Sequence, residues 1–156
     1  MPDVPRVGFR PARREDCRRI WEWRNDAVTR EASFDTSYIA YEEHERWFAS
    51  KVDAEDTRIF IVLDAAGGEV GYVRFNIAGG CAEISVSLDG GKRRRGYGPA
   101  AIRASSDHLL SEGAARRIVA LVKQPNVTSV RAFERAGFVI SGLREFGGVQ
   151  AYELTY

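Results

Sequence analysis

The chain has 156 residues, of which 44% are apolar and 29% are charged, and its formal net charge is +1. This length suits one domain, residues 1–156, and the near-neutral charge argues against a nucleic-acid-binding protein that uses a broadly basic surface. Two cysteines make no disulfide framework and favour a reducing, cytoplasmic setting, and no apolar run reaches the length of a membrane span.

Hydrophobic periodicity predicts seven strands and four helices. Cys17, Ile20 and Trp21 form an apolar stripe on the first helix, so Trp21 is predicted to pack in the core. Strands that cluster in the middle of the chain and then alternate with helices predict a mixed sheet with helices on both faces, an α/β (α+β) fold. The predicted elements are a strand at 7–10, a helix at 13–25, an irregular stretch at 26–39, a helix at 41–52, strands at 57–63, 69–76 and 81–88, a helix at 99–111, a strand at 117–122, a helix at 126–136, and strands at 138–140 and 149–156.

A glycine-rich segment follows the strand at 81–88 and precedes a helix. Backbone amides and the positive end of a helix dipole would meet there, and the run Arg93-Arg94-Arg95-Gly96-Tyr97-Gly98 adds guanidinium groups. The segment is therefore predicted to bind a phosphate. It lacks the Gly-Lys-Ser/Thr ending of a P-loop and the Gly-x-Gly-x-x-Gly spacing of a dinucleotide site. A glycine-rich turn with solvated arginines remains the alternative.

Two ordered motifs resemble the GNAT superfamily of N-acetyltransferases. The pattern Arg93-x-x-Gly96-x-Gly98, between a strand and a helix, resembles the pyrophosphate-binding motif of that family. Downstream, Asn126, Ser129 and Phe133 occur in a segment ending in Gly-Phe that resembles the family's Asn-x-x-Ser/Ala-x-x-x-Tyr/Phe-x-x-x-Gly-Phe segment. Together with the opening Phe-Arg-Pro-Ala at 9–12, the resemblance extends over nearly the whole chain.

The resemblance implies a GNAT fold, with a mostly antiparallel sheet of six to seven strands that splays between the fourth and fifth strands and is flanked by four helices. It implies acetyl-CoA as cosubstrate, with no metal and with a small-molecule amine as acceptor. Pro99 is predicted to be the first helical residue, which would remove one phosphate-binding amide. The residues implied in coenzyme A binding are Val86, Leu88, Arg93, Arg94, Arg95, Gly96, Tyr97, Gly98, Asn126, Ser129 and Phe133.

The predicted catalytic residues are Glu83 and Ser85, on the polar face of the strand at 81–88. Acylation needs a neutral amine, so Glu83 is a candidate general base, directly or through water. A backbone amide near Val86 is the expected donor to the thioester carbonyl. The alternative for Glu83 is a structural ion pair with Arg74.

The first two helices and the segment around Arg74 resemble acetyltransferases of bacterial nonulosonic-sugar synthesis, which implies an amino group of a UDP-linked sugar as acceptor. Relatives that acetylate ribosomal-protein amino termini are a looser match. The chain resembles the polyamine and aminoglycoside enzymes less, since those would favour a more acidic acceptor cleft. Arg24, Asn25, His44 and Arg74 are the predicted acceptor-binding residues. A hydrogen-bonded core histidine and a helix-end arginine remain the alternatives for His44 and Arg24. A non-catalytic coenzyme A-binding module, a phosphate-binding regulatory domain, and a monomer or homodimer all stay open.

Overall fold

The computed structural model describes residues 4–156, which form one seven-stranded sheet flanked by helices. The strands are β1 Gly8–Pro11, β2 Thr57–Leu63, β3 Glu69–Ala78, β4 Cys81–Leu88, β5 Arg117–Lys123, β6 Val139–Phe146 and β7 Val149–Thr155. The helices are α1 Cys17–Asn25, α2 Ala27–Ala32, α3 Tyr41–Lys51, α4 Tyr97–Ser111 and α5 Val127–Arg135, with short 3-10 turns at Arg14–Asp16 and Gly90–Lys92. None of these helices has the length and apolar character needed to cross a bilayer.

The strand order is β1-β2-β3-β4-β5-β7-β6, and every neighbouring pair is antiparallel except β4 with β5. That parallel pairing extends only from Cys81 opposite Arg117 to Glu83 opposite Val119. Beyond Glu83 the two strands diverge, while β5 continues to pair with β7 as far as Lys123. The predicted fold, with its splay between the fourth and fifth strands, is confirmed.

Two apolar clusters cover the two faces of the sheet. One lies under α4 and α5 and includes Phe75, Ile102 and Leu154. The other lies under α1 and α3 and includes Ile20, Phe48 and Trp23, which is 3% exposed. Trp23, and not the predicted Trp21, is the core tryptophan of α1, because it follows Ile20 by three residues on the same helix face. Trp21 is half-buried, and its indole Nε1 donates to the backbone oxygen of Ile39 at 2.8 Å.

Three predictions of secondary structure were wrong: one helix was missed, and two elements have other boundaries than predicted. The stretch 26–39, predicted as irregular, contains α2, which makes five helices where four were expected; its cap Asp26 accepts hydrogen bonds from the amides of Val28 and Thr29. Strand β6 extends well past the predicted 138–140 and is mostly exposed, so it shows no alternation of apolar and polar residues. Helix α4 begins at Tyr97 rather than Pro99, because Gly96 takes up the cap position.

Candidate functional site

The glycine-rich segment between β4 and α4 is built as an anion site. Gly96 caps α4 with a φ of +83°, a conformation that a residue with a side chain adopts only under strain. The first amides of a helix have no partner inside it, so those of Tyr97 and Gly98 are left for a ligand at the positive end of α4. Pro99 is the third helical residue and not the first, so its missing amide leaves the amides of Tyr97 and Gly98 available to a phosphate.

The three arginines of this segment differ in their surroundings. Arg94 and Arg95 are exposed and form no ion pair with any residue between 4 and 156. Arg94 also has a left-handed φ of 63°, which is rare outside glycine and clusters at ligand sites. Arg93 is already engaged, because its Nη2 donates to Asp26 Oδ2 at 2.7 Å and to the backbone oxygen of Leu88 at 3.3 Å. Two of the three predicted guanidinium groups are therefore free to meet a phosphate.

The second motif lies beside this segment. A Cβ built on Gly98 would lie 3.9 Å from Cβ of Ala132, which places the start of α4 against α5. Asn126 caps α5 by accepting from the amide of Ser129 at 3.2 Å. Phe133 is 4% exposed and packs edge-on against Phe138. The end of β4, the glycine-rich segment and α5 thus surround one opening, at the place where β4 and β5 part.

The polar face of β4 is opposed by polar residues of β3. Ser85 lies directly across from Arg74, and Glu83 lies across from Asn76. Glu83 is exposed and lines an open cleft of about 350 Å³ together with Cys81 and Lys51. No ion pair joins Glu83 to Arg74 in the described part of the chain. The charge of Glu83 still favours protonated Arg74 at a distance, but the structural ion pair considered from the sequence is not formed.

A second pocket, of about 210 Å³, opens on the α1–α3 side of the sheet. We call it the arginine pocket. It is formed by the end of α1, the connection from α2 to α3, the first turns of α3 and the middle of β3. Because Arg74 faces Ser85 in register, this pocket adjoins β4 beside the splay. Its lining residues are Arg24, Asp35, Ser37, Tyr38, Ile39, Glu43, His44, Trp47 and Arg74.

Arg74 brings an uncompensated charge into this pocket. Its guanidinium carbon lies 5.2 Å from the ring centroid of Trp47, and its Nε is buried with no hydrogen-bond partner in residues 4–156. Burial lowers the pKa of Arg74, and the neighbouring Arg24 lowers it further. An arginine nevertheless stays protonated in proteins. A buried charge is costly unless it is paired, so this geometry suits a bound anion.

Two of the other predicted acceptor residues, His44 and Asn25, are already hydrogen-bonded. His44 is 1% exposed, and its Nε2 lies 3.0 Å from the backbone oxygen of Cys17. A carbonyl oxygen only accepts, so Nε2 carries the proton and donates. Burial lowers the pKa of His44, which favours the neutral ring. Asn25 uses its amide nitrogen and oxygen on the backbone of Ile39, both at 2.9 Å. Asn25 therefore stands behind the pocket wall, while His44 and Arg24 line the pocket.

Sequence reasoning missed the wall formed by Asp35, Ser37, Tyr38 and Ile39. Irregular backbone carries no periodicity, so nothing local marked this stretch as part of a site; its only signal was its mixture of polar and aromatic residues. In the described residues, no group of three or more His, Cys, Asp or Glu side chains is arranged to hold a metal ion.

Comparison with known proteins agrees with this architecture. Residues 6–139 match the family model described as Acetyltransferase (GNAT) domain. Among solved structures, spermidine N-acetyltransferase from Vibrio cholerae in complex with CoA and spermine has a TM-score of 0.86 at 21% identity, over 96% of this chain and 94% of that one. Aminoglycoside acetyltransferase AAC(6')-Ib in complex with coenzyme A and kanamycin has a TM-score of 0.83 at 18% identity, over 97% and 94%. These TM-scores establish a shared fold, and at such low identities they establish the fold alone. No curated protein matches the sequence.

Proposed function

Because the chain belongs to the GNAT family of acetyl-CoA-dependent N-acetyltransferases, we propose that it acetylates an amine whose molecule also carries phosphate, with a UDP-linked amino sugar as the representative acceptor. The observation that carries the acceptor class is the pair of arginines, Arg24 and Arg74, that lines a pocket beside β4. The proposal that acetyl-CoA is the cosubstrate at this site is supported by the splay of β4 from β5 and by the glycine-rich segment that follows β4.

In this proposal the pyrophosphate of acetyl-CoA binds the amides of Tyr97 and Gly98 and the free guanidinium groups of Arg94 and Arg95. The pantetheine arm lies in the opening between β4 and β5, along the backbone of Val86 and Leu88. Pairing between the two strands ends at Glu83, so the later part of β4 can offer its backbone groups to the arm. Asn126 and Ser129 border the same opening from α5.

The acetyl group then lies near Ser85 and Val86, where a backbone amide stabilises the carbonyl oxygen as it becomes an oxyanion. Glu83 removes a proton from the ammonium form of the acceptor. Glu83 lies two strand positions from Ser85, about 7 Å along the strand, so the proton travels through a water molecule. The neutral amine attacks the carbonyl carbon, the carbon–sulfur bond breaks, and the sulfur leaves as thiolate because Phe133 has no proton to donate. The second proton of the attacking nitrogen passes to water.

The guanidinium group of Arg74, whose Nε is unsatisfied in the described part of the chain, supports the anionic acceptor. A polyamine or an aminoglycoside would place several positive charges beside Arg74, which has no carboxylate partner in residues 4–156. A diphosphate would instead supply the missing hydrogen-bond acceptors. A second candidate is a polycationic amine, favoured by the names of the structural neighbours and by Asp35 and Glu43 in the same wall.

The test is acetyl-CoA consumption with a panel containing a UDP-linked 4-amino sugar, spermidine, kanamycin and a peptide with a free amino terminus. The UDP-sugar is expected to give the highest kcat/KM. Arg74→Met, which retains bulk over Trp47, should lower kcat/KM for the UDP-sugar by about tenfold or more without lowering that for spermidine. A wild-type preference for spermidine or the peptide would refute the acceptor proposal. Coenzyme A binding without turnover of any amine would indicate a binding module.

A further inference from the structure

The side chain of Arg93, the first residue of the phosphate-binding motif, is turned toward α2. Its Nη2 donates to Asp26 Oδ2 at 2.7 Å and to Thr29 Oγ1 at 3.3 Å. The same nitrogen reaches the backbone oxygen of Leu88, the last residue of β4. One guanidinium group therefore joins the end of β4 to the first turn of α2, two elements that are far apart in the sequence.

Asp26 has a second task at this point. The oxygen that accepts from Arg93 also accepts from the amides of Val28 and Thr29, at 3.0 and 3.2 Å, and so caps α2. Burial raises the pKa of this carboxyl, but the Arg93 and amide hydrogen bonds outweigh it and lower the pKa overall. The cap is thus a carboxylate, held by the positive helix end and by Arg93 together.

Helix α2 depends on such outside contacts. It has six residues, too few to be stable as an isolated helix. Its far end is held by Lys123 Nζ, which donates to the backbone oxygen of Glu31 at 3.0 Å, and by Phe34, whose ring lies 5.0 Å from that of Phe146. The chain then runs directly into residues 35–39 of the arginine pocket. Where α2 sits determines where that wall sits.

We propose that Arg93 is a positioning residue for the acceptor. It holds α2 and the pocket wall at 35–39 against the glycine-rich segment between β4 and α4, which we call the coenzyme A segment because it is the proposed site of the coenzyme A pyrophosphate. The inference rests on the proposed function, since it gives that function's acceptor site its link to the cofactor site. Occupation of the segment by the pyrophosphate fixes the backbone that carries Arg93, and so stabilises α2. Linkage is reciprocal, so the acceptor must also tighten coenzyme A binding.

The test uses Arg93→Met, Asp26→Asn and the double variant. Asparagine retains a capping oxygen but loses the charge that pairs with Arg93. Arg19→Ala is the matched control, because it removes an ion pair of the same segment, to Asp89 at 3.1 Å, without touching α2. Asp89 keeps its bond from the indole of Trp23 in that variant. Arg95→Ala serves as the contrasting change, since it removes a free guanidinium group.

Hydrogen exchange of residues 27–39 is measured with and without coenzyme A. In the wild type, coenzyme A is expected to slow exchange at 27–39. In the free protein, Arg93→Met should speed this exchange about tenfold, a typical effect of losing one coupled contact. Coenzyme A should no longer slow exchange in that variant. Exchange at 27–39 in the double variant should be no faster than in the more affected of the two single variants. Arg19→Ala should behave as the wild type, and Arg95→Ala should weaken coenzyme A while leaving exchange in the free protein unchanged.

The kinetic readout uses the best amine from the panel. Arg93→Met should raise the acceptor KM about tenfold, with the coenzyme A dissociation constant changed by less than about threefold. Wild-type exchange at 27–39 in Arg93→Met, or a loss of coenzyme A affinity as large as in Arg95→Ala with an unchanged acceptor KM, would make Arg93 a phosphate ligand and overturn the proposal. Failure of the proposed function would look different: the wild type would prefer spermidine or the peptide in the panel, while hydrogen exchange at 27–39 in the free protein would still report on the contact of Arg93 with α2.

Discussion

His44, which is buried, and Arg74, which is half-buried, lie beside the same pocket and differ in whether their hydrogen bonds are satisfied. His44 donates to the backbone oxygen of Cys17 and stacks at 5.9 Å on Phe48, so its position is explained by the fold. Arg74 rests on Trp47 but leaves Nε without a partner in residues 4–156. A satisfied group stabilises the native state, whereas an unsatisfied charge beside a pocket is available to a ligand. The two residues were predicted together, and the structure gives them different roles.

His44 leads to a prediction about pH. Its pKa is below the ordinary 6.5 in the folded protein, so the unfolded chain takes up the proton first as pH falls. Its contribution to stability is complete above pH 6.5 and is lost as pH falls toward the folded value, at up to about 1.4 kcal/mol per pH unit. Urea unfolding between pH 8 and 5 should show this slope, and His44→Gln should flatten it. His108→Gln is the control, because the His108 side chain on α4 is 43% exposed, and this variant should retain the slope. An unchanged slope in His44→Gln would assign the titration elsewhere.

Glu83 and Phe133 lead to a prediction about proton transfer. Glu83→Gln should lower kcat by about 10²-fold or more, the scale of general-base catalysis, and remove the rising limb of the pH–rate profile. Because Glu83 is exposed, the variant should fold normally. Phe133→Tyr should change kcat by less than about tenfold, since a thiol of pKa about 8.5 already leaves as a tolerable thiolate. If Glu83→Gln keeps its activity and its profile, water or the acceptor itself supplies the base.

At the scale of elements, the close approach of β3 to β4 determines where the coenzyme A segment begins. Gly71 lies opposite Leu88 with a φ of +154°, next to an irregularity in the pairing of β2 with β3. A Cβ at Gly71 would lie 2.2 Å from the backbone oxygen of Ser87 and 2.8 Å from Cα of Leu88. These are backbone atoms, which cannot rotate away as a side chain would. Only glycine allows the last residues of β4 to lie where they do.

Gly71→Ala is therefore expected to destabilise the fold by about 3 kcal/mol or more, from overpacking and backbone strain combined. Gly147→Ala is the matched control: it also has a positive φ, +55°, but nothing lies within 4 Å of its added Cβ. The free energy of unfolding of the control should fall by only about 1–2 kcal/mol, because only backbone strain at the positive φ contributes. Chemical denaturation measures both. Equal losses would mean that the β3–β4 contact relaxes easily and does not constrain the segment.

At the scale of the whole molecule, the two proposed binding regions lie on opposite faces of the sheet. The face under α4 and α5 carries the proposed anion site, and the face under α1 to α3 carries the arginine pocket. The splay between β4 and β5 is where the two meet. A ligand in this opening contacts elements from both halves of the chain, so its binding should stabilise the entire fold.

Coenzyme A is accordingly expected to raise the free energy of unfolding by about 2.7 kcal/mol at a hundred times its dissociation constant. Thermal denaturation against coenzyme A concentration measures this. Arg95→Ala should shift the titration to higher concentration while leaving the melting temperature of the free protein unchanged, because Arg95 is exposed and unpaired among the described residues. Added salt should weaken wild-type binding more than that of the variant. A salt dependence equal in both would exclude Arg95 from the phosphate site.

The sequence by itself determined the features that consecutive residues encode. Alternation along 81–88 identified β4, the glycines at 96 and 98 marked the turn into α4, and Asn126 marked the cap of α5, because strand period, positive φ and helix capping depend on neighbours in the chain. Only the tertiary structure decided that Arg93 pairs with Asp26, 67 residues away, that Glu83 and Arg74 lie apart, and that residues 35–39 wall a pocket. Ion pairs and pockets depend on distances between residues remote in sequence, and those distances follow from strand order, register and helix packing.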